Sequence, residues 1–422
     1  MPTPARHCGL DFGTSNSTLA LAAAGNAAPR LLPLEEGRST IPSAIFFDFA
    51  SDQTLFGRAA IKAYTDGADG RMMRSLKSIL GSSLADESVR IKRRVVPFLD
   101  IIGSFVDELK ARAEADIDDT LGDVVVGRPV HYVDDDPLAD KEAQRQMESA
   151  VRAQGFRHIA FQYEPIAAAL DYEQQVTREE IGLIVDLGGG TSDFSIVRVS
   201  PERARATDRT ADILSTSGVH VGGTDFDRLL SLKKVMRALG YQTPTDDGKR
   251  PLPSGPYVDL ATWHRINRLY DPAILRQLRH TEREAHYPDR VANMISIVAH
   301  HEGHLLAGTV EDAKIALTHD TETRLAFAGE EVELKTLIER SDLTEALEAP
   351  IERIAATIGV ALAAADLPAE RVETLILTGG STQIPAVMTR LRALFPAARF
   401  VETDAFGSVG LGLALDAARK FG

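Results

Sequence analysis

The sequence predicts an α/β protein of two lobes, each a mixed sheet flanked by helices and carrying a smaller subdomain. Three observations predict it. The chain has 422 residues, too many for one ordinary core and enough for two or three domain-sized units. Strand-length apolar runs alternate with helical periodicity along the chain. One local plan (strand, Asp, apolar residue, Gly-containing turn, strand) occurs twice, at Asp11-Phe12-Gly13-Thr14-Ser15 and at Asp186-Leu187-Gly188-Gly189-Gly190-Thr191-Ser192. Such a repeat points to an internal duplication.

The elements follow in order. Residues 6–34 read as three short strands separated by turns. Residues 55–120 read as mostly helical, with a basic stretch at Lys92, Arg93 and Arg94. A buried strand at 123–127 ends at Pro129. A helix at 141–154, a strand at 159–162 and a helix at 165–172 complete the first lobe. Strands at 181–187 and 192–199 open the second. The Pro-, Gly- and Asp-rich stretch 241–256 reads as an exposed loop, and 259–318 as largely helical. A helix at 341–365 with Ser341 as N-cap, a strand at 374–377 and helices at 385–395 and 408–420 follow. The lobes are expected at 1–175, completed by a C-terminal helix in 401–422, and at 176–400. Their subdomain insertions are expected at about 42–115 and about 224–318.

Composition excludes some classes. A formal net charge of −14 opposes non-specific binding to nucleic acid or an anionic membrane. The single cysteine, Cys8, allows no intramolecular disulfide and fits a reducing, cytoplasmic compartment. It reads as a small buried hydrophobe. Met1-Pro2-Thr3-Pro4 lacks the regions of a signal peptide, and no window approaches the ~18 apolar residues of a membrane span.

Three turns carry chemistry. In Asp11-Phe12-Gly13-Thr14-Ser15-Asn16-Ser17, Gly13 admits close approach of a phosphate, and successive N–H groups and hydroxyls form an anion-binding nest. Asp11 repels phosphate and makes sense facing Mg²⁺, largely through water. In Asp186-to-Asp193, three glycines after an apolar strand suggest contact with a ligand. This is not a Walker P-loop, because no Lys follows and the turn leads into a strand. In Thr378-Gly379-Gly380-Ser381-Thr382-Gln383, a Gly-Gly turn leaves no Cβ to block a flat base. His300-His301-Glu302-Gly303-His304 invites a zinc reading, since His300 and His304 are four apart, but no third ligand is evident and a helix-surface His cluster is expected.

In this order and spacing the three turns resemble the phosphate-1, phosphate-2 and adenosine motifs of the actin, sugar-kinase and heat-shock ATPase superfamily. The resemblance implies a two-lobed actin-like ATPase fold built on a duplicated ribonuclease-H-like motif. The wording is most similar to DnaK-type heat-shock chaperones, with Glu164-to-Leu170, Gly222-to-Asp227 and Glu311-to-Leu317 also matching. Gly127-Arg128-Pro129, Phe161-to-Pro165 and Asp404-to-Val409 look like the shorter YegD-type proteins.

The resemblance implies ATP/ADP and Mg²⁺ as cofactors. It places Asp11, Glu164, Asp186 and Asp193 around hydrated Mg²⁺, with Asp186 near the attacking water. It puts Gly13, Thr14, Ser15, Asn16, Gly188, Gly189, Gly190 and Thr191 on the phosphates. Thr191 is also expected to act in catalysis. Gly222, Gly223, Glu311, Lys314, Thr318, Gly379, Gly380, Ser381 and Gln383 complete the nucleotide site. Lys77 is the candidate for the lysine that the family brings to the γ-phosphate, with Arg74 its competitor. Two family arginines that sandwich the adenine appear here as Ile315 and Gln383, removing contacts of roughly 1 kcal/mol each. Pro129 and Arg145 fall where the chaperones keep residues of interdomain signalling.

The chain stops one helix after the adenosine motif. The expectation is therefore a DnaK-like ATPase without the peptide-binding domain, with clients or co-chaperones as partners. A small-molecule kinase of the same superfamily and an actin-like filament protein are the alternatives.

Overall fold

The computed structural model describes residues 6–22, 28–133, 136–173, 175–206, 208–402 and 407–422. The chain begins with β1 (Arg6–Phe12), β2 (Asn16–Leu21), β3 (Arg30–Leu31) and β4 (Thr40–Pro42). An insertion follows: β5 (Ala44–Asp48), β6 (Thr54–Phe56), α1 (Gly57–Thr65), β7 (Gly70–Arg74), β8 (Ser88–Ile91), β9 (Arg94–Pro97) and α2 (Phe98–Ile117). Then come β10 (Leu121–Arg128), α3 (Pro137–Ala153), β11 (His158–Tyr163) and α4 (Glu164–Glu173).

The second half repeats the hairpin with β12 (Glu180–Leu187) and β13 (Ser192–Val199), followed by β14 (Ile213–Val219). Helices dominate next: α5 (Gly223–Leu230), the single turn α6 (Met236–Ala238), α7 (Gly255–Ala261), α8 (Pro272–Glu284), α9 (Pro288–Ala299) and α10 (Gly303–His319). A hairpin of β15 (Glu322–Ala328) and β16 (Glu333–Glu339) leads to α11 (Arg340–Ala346) and α12 (Glu348–Ala364). The chain closes with β17 (Thr374–Thr378), α13 (Pro385–Leu394), β18 (Arg399–Glu402) and α14 (Ser408–Phe421).

The two main sheets share one topology. The first runs β11-β10-β1-β2-β3 and the second β18-β17-β12-β13-β14. In each, an antiparallel hairpin (β1–β2, β12–β13) is extended on one side by a third antiparallel strand and on the other by two parallel strands. The short Asp-Gly repeat in the sequence is the tip of this duplicated five-stranded unit.

Three apolar cores hold the unit together. One fills the first lobe, including Leu10, Phe12, Phe105, Val124 and Val126. A larger one fills the second, including Leu183, Val185, Phe194, Phe226 and Leu377. The third joins them: Ile166 to Leu170 of α4 and Val409, Leu413 and Ala417 of α14 pack on Val125, Ile184, Val197 and Ile376. These two helices thus bury one apolar stripe against both sheets, and small residues let them do it. A Cβ on Gly412 would stand 1.8 Å from the Ala167 carbonyl oxygen, and one on Gly9 2.4 Å from the Ala414 nitrogen.

Several expectations are corrected. Residues 55–120 carry, between and beside the helices α1 and α2, the short strands β6, β7, β8 and β9. The basic stretch is the turn of the β8–β9 hairpin, with Lys92 in the left-handed region at φ 52°, and Val89 and Ile91 alternate inward as a strand requires. The helix expected at 341–365 is two, broken at Leu347, because Pro350 has no N–H to continue the ladder. Its start is capped by Glu339 in a reciprocal box with Asp342, and Ser341 lies inside the first turn. The β15–β16 hairpin was not anticipated. Residues 404–406 of the YegD-type resemblance lie outside the described residues.

The backbone contact at Gly412 generates a direct test. Gly412→Ala should cost roughly 3 kcal/mol, because the new methyl meets a backbone carbonyl that cannot rotate away. A thermal melt should show a fall of several degrees, and an unchanged midpoint would refute the close helix crossing.

Candidate phosphate-binding cleft

The duplicated hairpins bring their turns face to face. A Cβ on Gly189 would stand 2.6 Å from the Ser15 hydroxyl oxygen, so a larger residue at 189 would press on the opposite turn. Each turn is braced from behind. Gly188 N–H donates to the Thr191 carbonyl at 3.0 Å, while Gly223 N–H donates to the Gly188 carbonyl (3.0 Å) and Thr224 N–H to the Gly189 carbonyl (2.8 Å). The Thr224 hydroxyl donates to the same Gly189 oxygen at 2.8 Å. Gly222 has no room for a Cβ, which would meet Gly189 and Gly190 backbone atoms at 2.6 Å.

The acidic residues lie on glycines. The Glu164 Cγ is 3.3 Å from the position of a Cβ on Gly127, the Asp186 Oδ1 2.9 Å from one on Gly379, and the Asp193 Oδ1 2.8 Å from one on Gly218. Each of these glycines occupies a neighbouring strand or the turn that ends it, and each leaves the space its carboxylate uses. Gly379 itself adopts φ +82°, the left-handed region that disfavours other residues.

One cation is delivered into this acidic cleft. Lys77 follows β7 on a short helical turn and pairs with Glu164. Burial lowers its affinity for a proton, but Glu164 and Asp11 outweigh burial and hold it above the ordinary lysine range. Arg74, the competing candidate, goes elsewhere: its guanidinium lies 4.4 Å from the Trp263 ring centre. Burial, then the Glu164 charge, pushes Asp11 up to about 7 despite Lys77. Asp186 also rises to about 7, through burial, then Asp193 and Glu164, and it accepts a 3.4 Å contact from the Thr378 hydroxyl.

Carboxyls that titrate near neutrality through burial and mutual repulsion constitute an unmet demand for positive charge, so this donor set fits Mg²⁺. Among the described residues no three His, Cys, Asp or Glu converge closely enough to ligate a metal directly.

Other residues predicted from sequence are placed as follows. Thr14 is exposed, and Asn16 opens β2 opposite Pro42. The exposed Thr191 donates to the Asp193 carboxylate at 3.0 Å. Lys314, 8% exposed, pairs with Asp227 at 2.8 Å and reaches toward the Gly223 carbonyl at 3.4 Å. Burial pushes Asp227 up to about 6 against the pull of Lys314. Ser381 approaches the same corner, 3.0 Å from the site of a Gly223 Cβ. Glu311, Ile315 and Gln383 are exposed, Gly380 follows Gly379 into a short helical turn, and the Thr318 hydroxyl donates to its own helix at the Ile315 carbonyl. Arg145 is exposed and pairs with Glu142. Arg128 instead ties the Pro129 segment down, donating to Asp140 at 2.7 Å and to the Pro129 and Val130 carbonyls.

Sequence reasoning missed two features. Ser43 braces the first turn. The expected surface His cluster is also wrong in part, since His304 is 3% exposed. Its ring packs edge-on against Tyr64 (4.7 Å) and Trp263 (4.9 Å). Tyr64 and Arg74 come from the first insertion, Trp263 and His304 from the second, so the cluster joins their tips. Burial lowers His304 to about 4.

The raised Asp186 sets a pH dependence. A carboxyl with a folded-state value above its unfolded one binds more protons when folded, so its contribution to stability falls as pH rises from about 4 to 7. His304, lowered, acts oppositely and costs stability as pH falls below its ordinary value. Asp186→Asn should therefore stabilise the nucleotide-free protein at pH 7.5 by roughly 1–3 kcal/mol, with little gain at pH 4. Denaturant melts across that range check this, and equal shifts at both ends would exclude a charge origin.

Comparison with known proteins now bears on this geometry. The family model described as Hsp70 protein matches residues 7–238 and 297–420. The unmatched stretch between them includes the Pro- and Gly-rich loop and helices α7 and α8. Heat shock 70 kDa protein 7, chloroplastic, of Arabidopsis thaliana is 26% identical over 437 residues, covering 97% of this chain. The chain spans about half the length of that relative, 51%. With the duplicated sheets, the paired turns and a match over most of its length, the chain belongs to the Hsp70 family and has its two-lobed actin-like ATPase fold.

Proposed function

We propose that this chain binds ATP in the cleft between the two turns and hydrolyses it with Mg²⁺, as a DnaK-like ATPase in chaperone-type service. The observation that carries the reading is the approach of Ser15 to Gly189 across the cleft, with a lysine–glutamate pair and buried carboxyls beside it. In this reading residues 1–175 with the C-terminal helix form one lobe and 176–400 the other, and hydrolysis alters the angle between them. Protein clients or co-chaperones would read that angle. The buried Cys8 supports a reducing, cytoplasmic setting.

Each residue has a task. Backbone N–H groups at 13–16 and 189–191, with the Ser15 hydroxyl, hold phosphate oxygens. Lys77, oriented by Glu164, places its ammonium against the terminal phosphate. Asp186 accepts a hydrogen bond from the attacking water at a carboxylate oxygen and takes its proton as the new O–P bond forms and the bond from the γ-phosphorus to the oxygen that leaves with ADP breaks. Phosphoryl transfer asks more for positioning than for a strong base, so a carboxylate suffices. Asp11, Glu164, Asp186 and Asp193 would hold Mg²⁺ through water; when bound, it neutralises the charge of the triphosphate. Lys314, held by Asp227, and the turn Gly379–Ser381 face the nucleoside.

Phosphate release from Mg-ATP without any added acceptor tests the reaction class, since a small-molecule kinase needs its acceptor. Lys77→Ala should lower turnover on the order of 10²-fold. Wild-type turnover in that variant would remove Lys77 from the mechanism.

A further inference from the structure

The geometry points to Ser43 as a positioning residue that couples the first phosphate turn to the arm carrying Lys77. The inference rests on the ATPase reading above and adds to it a residue that no motif marks.

Ser43 is 2% exposed and lies between β4 and β5. Its N–H donates to the Ser15 carbonyl at 2.9 Å, and its hydroxyl donates to the Gly13 carbonyl at 2.6 Å. A serine has one hydroxyl proton. The 2.9 Å contact with Ser17 is therefore donated by Ser17. Every hydrogen-bonding capacity Ser43 turns toward the hairpin fixes the back of residues 13–17. With the Gly13 and Ser15 carbonyls held behind, the N–H groups of the turn are left to face the cleft.

The duplication supplies an internal comparison. The second turn has its carbonyls held by Gly223 and Thr224, with one backbone N–H and one hydroxyl converging on Gly189. Ser43 does for the first turn what Thr224 does for the second, a backbone donor and a hydroxyl donor on the rear carbonyls. The two braces differ in sequence context, so the equivalence is visible only in space.

Ser43 also has a second connection. The next residue, Ala44, pairs with Arg74 in the β5–β7 ladder, and Ile45 with Met73. Lys77 follows three residues beyond Arg74. One short segment thus grips the phosphate turn at its start and sets the register of the lysine arm along its length. Loosening the grip lets the turn and the lysine shift relative to each other, so both phosphate binding and turnover depend on one hydroxyl.

The test compares Ser43→Ala with Ile45→Val. Ile45 is fully buried in β5, two residues beyond Ser43, and Val keeps its backbone pairing with Met73, so its variant weakens the insertion without touching the brace. Mg-ADP affinity, single-turnover hydrolysis and amide exchange at residues 13–17 are measured on the full chain, below the melting point of each variant. Ser43→Ala should exchange faster at 13–17 without nucleotide, bind Mg-ADP more weakly and lose turnover about tenfold, while Ile45→Val stays near wild type in all three. Equal behaviour of the two variants, or unchanged exchange at 13–17 in Ser43→Ala, overturns the role of Ser43. Failure of the wild-type chain to bind Mg-ADP would instead overturn the ATPase reading, and the nucleotide-free exchange measurement would still decide the brace.

Discussion

The structure depends on a concentration of negative charge, largely withdrawn from water, at one seam. Asp11, Glu164, Asp186 and Asp193 project from strand ends or helix starts of both halves into one cleft, and Lys77 is delivered to them from an insertion. Burying carboxylates is unfavourable unless charge is supplied. The fold meets this in part with Lys77 and leaves the remainder as raised proton affinity on Asp11 and Asp186. That residual demand has a cost in stability while no cation is present, and it is what supports the Mg-ATP reading proposed for the cleft.

The duplication explains why the charge collects there. Two copies of the same five-stranded unit face each other through α4 and α14, whose small residues permit backbone contact. A hairpin tip in one copy must then oppose the hairpin tip in the other. The aspartate that ends β1 and the one that ends β12 are equivalent positions, so duplication places them across a common space. Glycines on adjacent strands make the side-chain room. Gly127 serves Glu164, Gly379 serves Asp186 and Gly218 serves Asp193. The carboxylates and their glycines therefore function as pairs.

Much of this was legible in the sequence, because turns that need glycine and strands that need apolar runs write themselves locally. The two hairpins, the Gly379 turn and most strands of the main sheets were placed within a few residues. Lys77 and Lys314 were identified only through resemblance, since a lysine on a helix carries no local mark of what it touches. Ser43 was invisible for the same reason: its partners lie about 30 residues away and are backbone carbonyls, which every residue has. The hairpin at 88–97 was missed because its strands are four residues each, whereas the one at 322–339 has seven-residue strands with Leu325, Phe327, Leu334 and Ile338 turned inward, an alternation that was readable. The break at Leu347 was readable from Pro350, whose missing N–H interrupts the helical ladder.

The contact between the insertion tips follows a different logic from the cleft below it. Tyr64, Trp263 and His304 meet ring to ring, Arg74 lies on the indole face and Asn267 donates to the Tyr64 hydroxyl. His304 is held neutral by burial, and the Trp263 carbonyl at 3.2 Å is satisfied by its Nε2–H, which fixes the tautomer. This seal relies on apolar area and ring geometry, contacts that salt screens far less than it screens paired surface charges. The carboxylates of the cleft are governed by charge and pH, while the ring contact between the insertions is governed chiefly by packing.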